Sequence, residues 1–106
     1  MNVKSRPRDL ERLKANATEA ADFLQLLGND KRLLILCELL IAGEMPVNML
    51  ADAVGLSQSA LSQHLSKLRA DNLVRTRRDA QTIYYRVARD IRVSRTLELL
   101  KQLFCR

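Results

Sequence analysis

"LSQSALSQHLSKLR", residues 56–69, sets Leu61, Leu65 and Leu68 at steps of four and three, with Gln58, Ser59, Ser62, Gln63 and Lys67 before and between them. That spacing puts the leucines on one face of a helix. The opposite face has short hydrogen-bonding side chains and a lysine, and no acidic residue. A face that meets only water usually mixes Glu with Lys, so this one reads as built to approach a polyanion.

The flanking residues give this helix a context. Pro46 opens a short helix over 47–54, with Leu50, Ala51 and Val54 facing inward. "VGLS" then turns the chain through Gly55, and Ser57 is a good N-cap for the helix that follows. Two short helices joined by a Gly-containing turn form a helix-turn-helix. After Asn72 the period changes from 3.6 to 2. "LVRTRRDAQTIYYRV" holds two β-rich runs, Leu73 to Arg77 and Thr82 to Val87, joined around Asp79-Ala80-Gln81. The turn has no glycine, which predicts a looser hairpin than a two-residue loop. A hairpin directly after a helix-turn-helix is a wing.

Upstream, Leu10, Leu13, Ala17, Ala20, Leu24 and Leu27 form a heptad-like seam, widened by Phe23 and Leu26. This predicts one helix of about five turns, closed by Gly28-Asn29. Asp30 can cap the next helix, which carries the apolar run "LLILCELLIA", Leu33 to Ala42, and stops near Gly43. Met45 and Met49 read as core. A final helix from about Asp90 to Phe104 carries Val93, Leu97, Leu100 and Phe104 on one stripe, extended by Ile91, Leu99 and Leu103. The fold class is mainly α with a small β-hairpin, a winged helix-turn-helix in the order ααααββα. It forms a single domain over 1–106, whose first nine or so residues are expected to be a disordered arm.

Composition narrows the partners. The 106 residues carry 18 Lys and Arg against 12 Asp and Glu, a formal charge of +6, which favours nucleic acid or another polyanionic surface. The N-terminus has charge but no apolar h-region, so it is not read as a secretory signal. The longest apolar run is broken by Glu38 and suits a core helix, not a membrane span. The expected location is the cytoplasm, where the two cysteines are thiols by default.

A helix of this size enters the major groove, where Gln58 can bond adenine bidentately and Ser59, Ser62, Gln63 and Lys67 can meet bases or phosphates. Arg75, Arg77 and Arg78, with Gln81 near the tip, suit phosphate or minor-groove contact. Alternation puts Arg75 and Arg77 on the face opposite Val74 and Thr76. A basic solvated loop is the plainer reading of the hairpin, and the adjacent helix-turn-helix outweighs it. His64, the one histidine, reads as a partly buried structural residue. Tyr84 and Tyr85 read as packing between wing and core, one of them within reach of DNA. No catalytic residue is assigned. A thiol oxidoreductase would need a Cys-x-x-Cys or a comparable activated pair, and a nucleoid-type binder would show little base preference.

"VGLSQSALSQHLSKLRADNLVRTRRDAQTIYY", residues 54–85, resembles the ArsR-type winged helix repressors, and the resemblance runs from about Ala20 to Arg106. It implies a homodimer through the first and last helices, bound to a roughly palindromic operator with recognition helices ~34 Å apart. Many such repressors sense metals. Here the stretch matching one common site reads Glu44-Met45-Pro46-Val47-Asn48, without thiolates, and the last helix has no histidine for the other. Neither a metal nor a cofactor is expected.

Two cysteines remain. From the residues alone, Cys37 is most simply a small buried hydrophobe and Cys105 a frayed-end thiol. The resemblance adds a second reading. A dithiol subgroup of the family has one cysteine in each of these places, bridged by persulfides or oxidants with loss of DNA binding. It implies a repressor sensing reactive sulfur or oxidant through Cys37 and Cys105, aided by Arg32 or Arg106. Another branch of the family, close across the recognition helix and wing, is not a dithiol sensor of this kind. A regulator without a thiol input, or an activator that displaces a silencing protein, therefore stays open.

Overall fold

A computed structural model describes residues 7–105. The elements run α1 Pro7–Ala15, α2 Ala17–Leu27, α3 Asp30–Ala42, β1 Met45–Pro46, α4 Val47–Val54, α5 Gln58–Ala70, β2 Val74–Asp79, β3 Thr82–Val87 and α6 Ile91–Phe104. The core is a cluster of aliphatic side chains. Ile35, Leu36 and Leu39 come from α3, Leu50, Ala51 and Val54 from α4, Leu61, Leu65 and Leu68 from α5, Leu73 and Val74 from the start of the wing, and Val93 and Leu97 from α6. Phe23, Leu26, Leu33, Cys37, Met45 and Tyr85 pack around it, partly buried.

The turn of the helix-turn-helix is fixed by backbone geometry. Gly55 adopts φ +69°, and its N–H donates to Asp52 O while the Leu56 N–H reaches Ala51 O at 3.0 Å. This pair of bonds is a Schellman cap, which needs a left-handed residue that glycine supplies without steric cost. The end of α5 repeats the device with Asn72 at φ +63°. Asn72 N–H donates to Arg69 O at 3.0 Å, and Leu73 N–H to Leu68 O at 2.8 Å. Asparagine tolerates that conformation better than most side chains, and the cap delivers the chain straight into β2.

Several expectations are corrected. The N-terminal helix is not continuous: Asn16, at φ −108° and ψ 9°, separates α1 from α2, and its Nδ2 donates to Arg12 O at 3.0 Å. A side chain that competes for helix carbonyls in this way weakens a helix interior. Asn29, not Asp30, caps α3, its side chain accepting from the Arg32 N–H at 3.0 Å. Residues 1–6 of the expected arm lie outside the described residues, whereas Pro7, Arg8 and Asp9 are helical. Met49 is exposed, not core, and Met45 is partly buried as expected.

The wing differs in two ways. It is a three-stranded antiparallel sheet of order β1-β3-β2, because Met45 and Pro46 pair with Tyr85 and Tyr84. Its hairpin closes with a two-residue loop, Ala80-Gln81, since Asp79 pairs with Thr82. Ala80 takes φ +55° to make that turn, a conformation an alanine rarely adopts and one the absence of glycine argues against. The register Val74↔Val87, Arg75↔Arg86, Thr76↔Tyr85 and Arg77↔Tyr84 follows.

Candidate nucleic-acid interface and thiol pair

α5 presents two unlike faces. Leu61, Leu65 and Leu68 are buried, and Gln58, Ser59, Ser62, Gln63 and Lys67 are exposed, all five as the sequence places them. The Ser57 hydroxyl accepts from the Ala60 N–H at 3.2 Å and so caps the first turn, from which Gln58 and Ser59 project. Lys67 lies 3.6 Å from Asp71, an exposed pair of the i, i+4 type that restrains the lysine weakly. His64 is partly covered on the flank of this helix.

The hairpin register sorts the wing residues by face. Val74 and Thr76 turn inward, paired with Val87 and Tyr85, while Arg75 and Arg77 turn outward, paired with Arg86 and Tyr84. Arg78 is on the inward side in alternation, but at the exposed tip beside Ala80 and Gln81. The four wing residues named from the sequence thus lie on one hairpin but not on one face. Arg86 was missed. Once the turn is two residues long, alternation places it opposite Arg75, and the expectation of a looser hairpin left that register unassigned.

Arg77 is the departure. Its Nη2 donates to Glu44 Oε1 at 2.6 Å and its Nε to both Glu44 oxygens at 3.1 Å, with Nη1 4.0 Å from Asp79. The guanidinium also stands 4.4 Å from the Tyr84 ring centroid. Hydrogen bonding from Arg77 holds the Glu44 carboxyl below the ordinary carboxylate value, and the same bonds raise the guanidinium. A side chain expected to reach out to phosphate is engaged within the protein. Glu44 has no local pattern to announce it, since 33 positions separate it from Arg77. No ion pair of Arg75, Arg78 or Arg86 is found among the described residues.

Cys37 is partly buried on α3 against the core, and Cys105 is exposed just beyond α6; both are free thiols. Burial raises the Cys37 thiol above its ordinary value of 9.0, and negative charge at Cys105 and Glu38 raises it further. Cys37 and Cys105 stand far apart in the sequence, one on α3 and one beyond α6, and the charge of Cys105 is felt at Cys37. Arg32 does not serve Cys37 as expected: its Nε donates to Leu26 O at 2.7 Å and its Nη2 to Gln25 O at 3.2 Å, tying α3 to the end of α2. Arg106 lies outside the described residues. Among the described residues, no cluster of three or more His, Cys, Asp or Glu side chains could hold a metal, and no helix is long and apolar enough to cross a membrane.

A helix-turn-helix followed by a paired wing, on a helical core, defines a winged helix-turn-helix protein. The model of the family described as "Bacterial regulatory protein, arsR family" matches residues 29–76, from the α3 cap to mid-β2. The transcriptional activator HlyU of Vibrio cholerae is 42% identical over 103 residues, covering 97% of this chain and 94% of the relative. The nodulation protein NolR of Rhizobium meliloti is 65% identical over 75 residues, which span 71% of this chain and 61% of NolR. Among solved structures, reduced HlyU from Vibrio cholerae superposes with a TM-score of 0.82 at 43% identity, over 91% of this chain and 99% of that one. The transcriptional repressor BigR from Xylella fastidiosa gives 0.78 at 34% identity, over 90% and 92%. A homodimeric winged helix-turn-helix domain from Mycobacterium bovis gives 0.70 at 32% identity, over 97% and 89%. The chain belongs to the ArsR family and is a transcriptional regulator.

Proposed function

We propose that the protein is a homodimeric repressor that reads a roughly palindromic operator with α5 and the wing, and that bridging Cys37 to Cys105 releases it. The observation that carries the thiol input is the presence of two free thiols of unlike access, a sheltered one on α3 and an exposed one at the end of α6. One structural neighbour is described as reduced HlyU, which associates redox state with a close relative. The dimer is supported by uncovered apolar side chains on α1, α2 and α6, Leu10, Leu13, Leu24, Leu99, Leu103 and Phe104, and by the homodimeric neighbour. The DNA contacts proposed are Gln58, Ser59, Ser62, Gln63 and Lys67 on α5 and Arg75, Arg78 and Gln81 on the wing.

Bridging is an ordinary two-electron exchange. The exposed Cys105 thiolate attacks a persulfide RSSH or another oxidant, and Cys37 resolves the adduct. For the persulfide, two protein thiols and RSSH give the disulfide, the thiol RSH and hydrogen sulfide. The bond would tie α3, which precedes the reading unit, to the end of α6, and a coupling of about 1–3 kcal/mol to DNA affinity is the usual scale of such control.

A second reading, activation in place of repression, is favoured by the name of the HlyU relative, a transcriptional activator. The test is DNA release by glutathione persulfide and by peroxide, followed by intact mass, in wild type, Cys37→Ser and Cys105→Ser. Release with formation of an internal bridge, lost in either variant, is expected. Release that survives Cys37→Ser removes the dithiol mechanism.

A further inference from the structure

Glu44 lies at a junction. Gly43, at φ +85°, ends α3, Glu44 follows, and β1 then pairs with β3 before α4 begins at Val47. The helix-turn-helix therefore hangs from the same few residues that hold the wing. β1 grips β3 through the backbone, and Glu44 grips β2 through Arg77, whose cross-strand neighbour Tyr84 lies under the guanidinium. All three guanidinium nitrogens face carboxylates: Nε and Nη2 face Glu44, and Nη1 faces Asp79 at 4.0 Å.

An isolated surface ion pair contributes little, but a bidentate arginine–carboxylate pair stacked on an aromatic ring has fixed geometry and a larger effect. For Arg77 to take a DNA phosphate it would have to leave three hydrogen bonds. It would also leave Glu44 as an unpaired carboxylate on the wing, next to a polyanion. Arg78, at the tip, faces no such cost.

We propose that Glu44 is a positioning residue for DNA binding: it withholds Arg77 from the phosphate backbone and fixes the angle of the wing against the helix-turn-helix, so that the tip and α5 engage one duplex together. This rests on the reading of α5 and the wing as the DNA-contacting elements. Arg77 then acts through the wing and does not touch the ligand, and the latch contributes to specificity more than to non-specific attraction.

The test compares wild type, Arg77→Ala, Glu44→Gln, Glu44→Gln/Arg77→Ala and, as reference, Arg78→Ala. Binding is measured by fluorescence anisotropy over a salt series, on a duplex selected by the protein from a random pool and on a random duplex. Each phosphate contact contributes about one unit to the slope of log K against log salt. Arg78→Ala should lower the slope by about one, whereas Arg77→Ala leaves it unchanged and reduces the ratio of selected to random affinity. Glu44→Gln should raise the random-duplex slope by about one as the freed Arg77 takes a phosphate, and the double variant should return it to the wild-type value. The Arg77 Nε–H resonance should stay protected in the wild-type complex and lose protection in Glu44→Gln, a signature that general loss of packing does not give. If Arg77→Ala flattens the slope as much as Arg78→Ala, or the double variant keeps the gain, the latch is overturned while the DNA-binding reading stands. If Arg78→Ala changes nothing on either duplex, the wing contact and the latch fall together.

Discussion

The Arg92 guanidinium stands 4.9 Å from the centroid of the Phe23 ring, joining α6 to α2 through a cation–π contact. The same arginine pairs with Asp90 at 2.7 Å and with Glu19 at 3.4 Å. Its bonds to Asp90 hold that carboxyl below the ordinary aspartate value while Asp90 also caps α6. One side chain therefore connects the first helical layer, the last helix and its cap.

The ring should matter more here than the long ion pair. Glu19 is largely exposed, and such pairs contribute little. Phe23→Ala should cost about 2 kcal/mol, less than the roughly 3–5 kcal/mol typical of a fully buried phenylalanine, because the ring is only partly covered. Glu19→Ala should cost under about 0.5 kcal/mol. Urea unfolding of both variants decides it, and equal losses would assign the link to the ion pair.

Ser57 controls the start of the reading helix. Ser57→Ala removes the acceptor for the Ala60 N–H and should destabilise the protein by about 1 kcal/mol. Fraying the turn that projects Gln58 and Ser59 should also weaken binding to the selected duplex more than to random DNA. A stability loss with an unchanged affinity ratio would mean that the first turn of α5 does not read bases.

Gln58 is exposed at the first helical position, free of any partner inside the described residues that would hold it back. Gln58→Ala should relax the preferred sequence by about 1–3 kcal/mol, roughly 5- to 150-fold, with the salt slope unchanged. Selection of binding sites with the variant protein measures this. An unaltered consensus would move the recognition role elsewhere on α5.

The thiols should react in a fixed order. Burial and neighbouring negative charge raise Cys37 above 9.0, so at neutral pH less of it is thiolate than for an ordinary cysteine, and access is also poorer. Iodoacetamide should label Cys105 first, with Cys37 lagging behind an ordinary cysteine and catching up only as the pH rises. The sign for stability follows. A folded value above the unfolded one leaves the native state unaffected below pH 9.0 and weakens it as pH rises through the raised value. Peptide mapping of a pH series tests the order, and Cys37 reacting first would reverse the attacking and resolving roles.

Local rules carried the reading unit and lost force at long range. The leucine period, the Ser57 cap, the Gly55 turn and the inward set Leu50, Ala51 and Val54 depend on neighbours within a turn or two, and all were legible. The break at Asn16 follows no proline or glycine, and Ala80 occupies a backbone region its side chain disfavours, so neither had a compositional signal. β1 is two residues long, too short to show a period. The Glu44–Arg77 bond exists only once the chain has folded back. At the candidate interface, the exposed set on α5 was readable, whereas the division of the wing arginines between faces waited on the register.

The cross-strand pair Arg75↔Arg86 sets two like charges opposite each other on a chain already at +6. Such a pair costs about 0.2–1 kcal/mol in the free protein, and mobile ions relieve part of that cost. The same ions compete for the phosphates that Arg75 would meet on DNA. Added salt should therefore ease the repulsion between Arg75 and Arg86 in the free protein while loosening the complex with DNA. The wing stores a small self-repulsion that a polyanion discharges, so this pair and the DNA complex respond to ionic strength with opposite signs.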